Sequence, residues 1–152
     1  MDHEYFMRRA IELALKVPQF PFGAIIVKRD TGEIIAERFN QSTINPTFHG
    51  EMEVLDHCAQ LQQHTEWNEF DLYTTAEPCP MCQSPIKWAG IARVCFGTSI
   101  PYLNTHNWQQ INIRASEVIA QTAFRKTLNV GGILEAAGRT LDFGEVSFTT
   151  TL

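Results

Sequence analysis

The chain has 152 residues, 44% apolar and 19% charged, proportions of an ordinary globular domain that exclude collagen, coiled coil and wholesale disorder. Its length suits a single domain spanning 1–152. Twelve basic against seventeen acidic residues leave a net charge of −5, and no Lys or Arg occurs between Arg38 and Lys87, which disfavours a nucleic-acid reader.

In chain order, Phe6, Ala10, Leu13, Ala14 and Val17 recur at helical spacing behind a capping Asp2, and Pro18 and Pro21 end that helix. The runs 22–28 and 33–38 read as strands joined by Asp30-Thr31-Gly32, a hairpin signal. A helix over 49–61 places Met52, Leu55 and Ala59 on one face. A short strand at 72–75, a helix from 81 to 89 and a strand at 94–97 follow, and 99–110 reads as a loop. Beyond it the pattern predicts a helix over 115–124, a strand at 125–130, a helix over 133–141 and an irregular tail over 143–152. Strands alternating with helices, with one hairpin among them, predict a mixed sheet covered on both faces, a three-layer α/β/α sandwich.

The longest apolar stretches are a few residues, as in Ala24–Val27, so no membrane span is expected. Met1–Arg9 is charged and no apolar signal region follows, which reads as a cytoplasmic, non-secreted chain. In that setting four cysteines point to metal or catalytic chemistry before disulfides.

Two patterns carry chemistry, each at a predicted helix start: His49-Gly50-Glu51 and Pro78-Cys79-Pro80-Met81-Cys82. One imidazole and two thiolates are zinc ligands, and Cys79 and Cys82 lie one helical turn apart, so both sulfurs can aim at one point. Three protein ligands leave a fourth position open, the arrangement of catalytic zinc sites. Zinc lowers the pKa of a bound water to about 7, making hydroxide available at neutral pH. Glu51, two residues past His49, is a carboxylate near the metal that need not bind it and suits general acid–base work. Two duller readings stay open: a redox Cys-x-x-Cys pair, and a closed structural zinc site completed by Cys58, Cys95, His57 or His64.

Together these motifs resemble the zinc-dependent nucleobase and nucleoside deaminases of the cytidine-deaminase fold, over nearly the whole chain. The resemblance implies a mixed five-stranded sheet, a homodimer or larger oligomer, one Zn²⁺ per chain and hydrolytic release of ammonia. On the matching positions His49, Cys79 and Cys82 would bind zinc and Glu51 would move protons. Pro21-Phe22-Gly23-Ala24, Asn40 and Ile86-Lys87-Trp88-Ala89 are similar to the guanine deaminase branch, in which Phe22 would stack on a base, Asn40 would bind its edge and Trp88 would line the site. Core packing is the competing role for both rings, and a turn for Asn40.

The chain departs from that branch in three places. Gly50 replaces the usual Ala, Phe48 stands beside His49, and 99–110 lacks the branch's acidic residue. That stretch offers His106 for proton transfer and Trp108 for stacking instead. The expectation is a zinc aminohydrolase of a free purine base, a nucleoside or a related amino-heterocycle, acting on a small molecule rather than nucleic acid or membrane. A tRNA wobble-adenosine deaminase and a non-catalytic zinc-stabilised module are the alternatives; the first needs a basic surface and the second has no use for Glu51.

Overall fold

A computed structural model describes residues 2–61 and 67–135. The elements, in chain order, are α1 (His3–Ala14), β1 (Gly23–Lys28), β2 (Ile34–Phe39), α2 (Gly50–Leu61), β3 (Phe70–Ala76), α3 (Pro80–Ala89), β4 (Arg93–Thr98), α4 (Ile100–Thr105), α5 (Ala115–Ala120) and β5 (Leu128–Val130). The strands form one mixed sheet in the order β2-β1-β3-β4-β5. β1 is antiparallel to both β2 and β3, whereas β3–β4 and β4–β5 are parallel. This is the expected α/β/α architecture with five strands.

Period-two alternation along β1 divides the core. Ala24 and Ile26 join Val54, Leu55, Leu72, Ile86 and Val94 on the α2–α3 side, while Ile25 and Val27 join Phe6, Leu13, Tyr73 and Cys95 beneath α1. A strand covered on both faces needs apolar residues at successive positions, which is why 23–28 reads as a continuous run. α1 lies close against that strand. A Cβ at Gly23 would collide with the Ala10 carbonyl oxygen, so the approach requires glycine.

The helix starts follow local chemistry. Asp2 caps α1 by accepting the Tyr5 N–H at 3.1 Å. α1 ends at Ala14 rather than Val17, because the chain ahead of Pro18 tightens into turns with Lys16 N–H bonded to Leu13 and Val17 N–H to Ala14. The expected loop over 99–110 contains α4: Ser99 caps it by accepting the Tyr102 N–H, and Pro101 sits in its first turn. α5 is shorter than its predicted 115–124. The last strand covers three residues rather than 125–130, because Arg125 adopts a left-handed φ of 52° that strand pairing excludes. Of the predicted helix 133–141 only 133–135 fall within the described residues, and the tail 143–152 lies outside them. Among the described residues no helix is long and apolar enough to cross a membrane.

Candidate zinc centre

The mixed topology brings four chain segments to one edge of the sheet. β1 starts where β2 and β3 end, as the pairs Gly23↔Phe39 and Ala24↔Thr74 record, and β4 ends beside β3 at Ala76↔Thr98. Phe22 before β1, Asn40 after β2, the 77–79 turn after β3 and the segment after β4 therefore share that edge. The N-termini of α2 and α3 meet there too, carrying His49 and Glu51 on one side and Cys79 and Cys82 on the other.

His49, Cys79 and Cys82 converge. His49 Nδ1 lies 3.6 Å from each sulfur and the sulfurs are 3.6 Å apart. A tetrahedral zinc with ordinary bond lengths sets its S–S and S–N edges at about 3.8 and 3.6 Å. The donor set therefore fits that ion in identity and spacing. Cys79 is the N-cap of α3 and Pro80 opens the helix, so both Cys82 and Gln83 direct their N–H groups to the Cys79 carbonyl. Among the described residues the metal-ligating group consists of these three, and none of the proposed fourth ligands joins it. Cys58 and Cys95 sit in the two cores, His57 meets Arg38, and His64 lies outside the described residues.

The electrostatics favour loss of thiol protons. The hydrogen bond with Cys82, working against burial and helped by His49, brings the Cys79 thiol down to about 4. The same bond, together with burial, pushes Cys82 up, so the pair yields its first proton at Cys79. The thiolate in turn raises the His49 imidazole above its ordinary value. A divalent cation replaces the protons that this trio otherwise shares.

Glu51 is 6% exposed and its Oε1 accepts the Thr74 hydroxyl at 2.9 Å. Burial pushes its carboxyl above the usual range, opposed chiefly by His49. Thr74 was not singled out in the sequence, although Leu72, Thr74 and Ala76 alternate on one face of β3 and would have indicated it.

A cavity of about 880 Å³ opens over the centre. His49, Glu51 and Cys79 line it with Phe22, Asn40 and Trp108, so three of the five expected substrate-side residues gather at the metal ligands. Phe22 and Trp108 pack edge to face, centroids 5.5 Å apart. Asn40 is buried, and its Oδ1 accepts the Ser42 N–H at 2.7 Å, which fixes the carboxamide and leaves Nδ2 and one Oδ1 lone pair for further hydrogen bonds. Among the described residues no Lys or Arg lines the cavity.

The other two expectations are corrected. Trp88 lies outside the lining. It follows the inward-facing Ile86 by two residues, about 200° around the helix, and stands 70% exposed against Phe124. His106 is also outside it, stacked on Tyr102 at 3.8 Å with Nδ1 beside the Tyr102 carbonyl, so the proton-transfer role has no geometry here. Gln109, Gln110 and Ile111 line the cavity instead, as does Glu77, none of which the sequence marked as substrate-facing.

An α/β/α sheet here carries a His-Cys-Cys trio that could hold a metal ion beside a buried glutamate. Residues 1–98 match the family model of the cytidine and deoxycytidylate deaminase zinc-binding region, and the chain belongs to that family. It is 40% identical to guanine deaminase of Bacillus subtilis (strain 168) over 95 residues, 59% of this chain and 60% of that protein. It is 39% identical to tRNA-specific adenosine deaminase of Haemophilus influenzae over 101 residues, 63% of this chain and 58% of the relative. The chain thus spans about three-fifths of the length of these curated relatives. A guanine deaminase structure from Nitrosomonas europaea shares the fold with a TM-score of 0.80 at 21% identity, over 91% of this chain and 81% of that one. A tRNA:A34 deaminase structure does so with a TM-score of 0.76 at 24% identity, over 90% and 98%.

Proposed function

We propose that the protein is a zinc-dependent hydrolytic deaminase of a small uncharged amino-heterocycle: a free purine base, a nucleoside or a related ring. The observation that carries this reading is a three-ligand metal site opening onto a cavity that holds a buried carboxyl and, among the described residues, no Lys or Arg. A phosphate-bearing substrate is best held by Lys or Arg, and among the described residues the lining offers carboxamides, the Glu51 carboxyl and a Glu77 already paired with Arg114 instead.

His49, Cys79 and Cys82 would hold the zinc, which supplies an acidified water as the nucleophile. Glu51 would hold the proton given up by the attacking water and deliver it to a ring nitrogen of the substrate. It then passes the second proton to the departing amine, so water and substrate become the oxo-heterocycle and ammonia. Its raised pKa suits a group that must donate as well as accept. Thr74 fixes Oε1 during this exchange. Phe22 and Trp108 supply ring faces for a planar substrate, and the Asn40 Nδ2 donates to a ring acceptor.

Ammonia release measured across guanine, guanosine, adenine, adenosine, cytosine, cytidine, triazines and an anticodon-loop RNA tests the reading. Turnover of one small substrate supports it, and turnover of RNA alone replaces it with the second reading, a tRNA adenosine deaminase. That second reading is favoured by the Haemophilus influenzae relative and opposed by a lining that, among the described residues, has no Lys or Arg.

A homodimer is the assembly we propose. The exposed Trp88–Phe124 pair is an apolar feature that a second copy would cover. A monomer mass by light scattering at assay concentration contradicts it.

A further inference from the structure

Glu77 lies one residue past β3 and two before Cys79, and it is 3% exposed. Its Oε2 accepts the Ile100 N–H at 2.8 Å and its Oε1 accepts the Ala115 N–H at 3.0 Å. Arg114 Nε donates to both oxygens, at 2.9 and 3.0 Å. Ile100 and Ala115 are the first residues of α4 and α5, where backbone N–H groups have no acceptor within the helix. One carboxylate therefore holds the starts of two helices, each only six residues long and too short to persist alone.

Between those helices runs the segment that carries Asn107, Trp108, Gln109, Gln110 and Ile111, the part of the cavity wall contributed after β4. Trp108 packs on Phe22 and against the Ala14, Ala76 and Leu103 cluster. Trp108 N–H reaches the Leu103 carbonyl, Gln110 N–H reaches Asn104 Oδ1 at 2.8 Å, and Asn107 adopts a left-handed φ of 66°. Glu77 lines the cavity, but its oxygens are engaged by these N–H donors, so it acts on substrate through the wall.

We propose that Glu77 is a positioning residue: by fixing the starts of α4 and α5 it sets the 107–111 wall in register with the metal-binding turn two residues away. This rests on the deaminase reading for its effect on turnover, but not for its effect on the wall. Anchoring from the same turn that carries Cys79 couples substrate placement to the metal ligands directly, and small displacements at such distances have large kinetic effects.

The test is Glu77→Gln, which keeps volume but removes the charge and turns one acceptor into a donor aimed at N–H groups. In zinc-loaded protein, backbone amides over 100–115 should exchange with solvent about tenfold faster or more, while those of β1 and β3 stay at wild-type rates. Zinc content should stay at the wild-type level, with KM raised about tenfold and kcat changed far less. Wild-type exchange over 100–115 overturns the proposal, and so does a fall in kcat alone, the mark of a smaller active fraction. Where Glu77→Gln fails to fold, Arg114→Ala decides: faster exchange confined to 100–115 supports the proposal and wild-type exchange overturns it. If no substrate is found, the exchange result still decides the role of Glu77 while the deaminase reading falls separately.

Discussion

Glu51 is a carboxyl group in a setting that discourages its charge, and the Thr74 hydroxyl is the side-chain donor that counters this. Thr74→Val should remove about 1.5–3 kcal/mol of support for the ionised carboxylate, the range for hydrogen bonds to charged groups. The sign follows from which form must exist: Glu51 has to be ionised to accept a proton from water, so activity rises with pH through its pKa. The Thr74 hydroxyl favours the ionised form, so Thr74→Val should shift that acid limb up relative to the wild type with zinc content unchanged. A pH–rate profile of kcat/KM measures it, and superimposable profiles count against the Thr74–Glu51 contact. At this scale the convergence of His49, Cys79 and Cys82 beside Glu51 was legible because these residues form local patterns with fixed spacing. Trp88 and His106 lie outside the cavity lining: the resemblance behind Trp88 supplies identity but not helix phase, and His106 was picked from a stretch whose path the sequence does not fix. Helix phase turns Trp88 away from the Ile86 side, and His106 follows a helix that the sequence reading missed.

Elements place those residues, and two of them can be tuned without touching the chemistry. Gly50 starts α2, where a Cβ would meet only Phe22 O at 3.4 Å and the Ala24 and Asn40 nitrogens at 3.7 Å, ordinary contact distances. Gly50→Ala should therefore stabilise the fold by about 0.5–1 kcal/mol, chiefly by restricting the unfolded chain. A thermal melt reads it, and a lower melting temperature means the helix start needs glycine. The outer tie between α1 and β2 is Arg9 with Glu37, a bidentate pair about one-third exposed on each side. The Arg9 hydrogen bond lowers the Glu37 pKa, so this stabilisation is complete above the ordinary Glu pKa and is lost as pH falls through the folded one. Solvent screening limits it to about 1 kcal/mol at most. Glu37→Gln should lose that amount at neutral pH and converge with the wild type in acid; denaturant melts at both values check it. The hairpin and the first three helices were readable because their caps, prolines and apolar periods agree. α4 was not, since six residues give no period to read, although Ser99 and Pro101 mark its start. β5 failed for a different reason: a left-handed Arg125 cannot be read from composition.

Across the whole molecule, the sheet topology makes the site. Because β1 runs antiparallel to β2 and β3 while β4 runs parallel to β3, one β-strand start and three β-strand ends open on the same edge. Open α/β sheets bind ligands outside the carboxyl ends of their parallel strands, and here the reversed β1 adds Phe22 to that edge. The alternation of strands and helices made this architecture predictable and the resemblance added the five strands, but the strand order was not predicted. The acidic middle of the sequence has a counterpart in the cavity, whose lining carries Glu51 and Glu77 and, among the described residues, no Lys or Arg. The central claim is that this edge is a deaminase centre in which Glu51 carries the protons. It is tested most directly by the rate of ammonia release from zinc-loaded Glu51→Gln beside the wild type, on the best substrate found, with zinc content measured in the same samples. The account predicts a loss of about 10²- to 10⁴-fold with zinc retained. A wild-type rate from the zinc-loaded variant would contradict it.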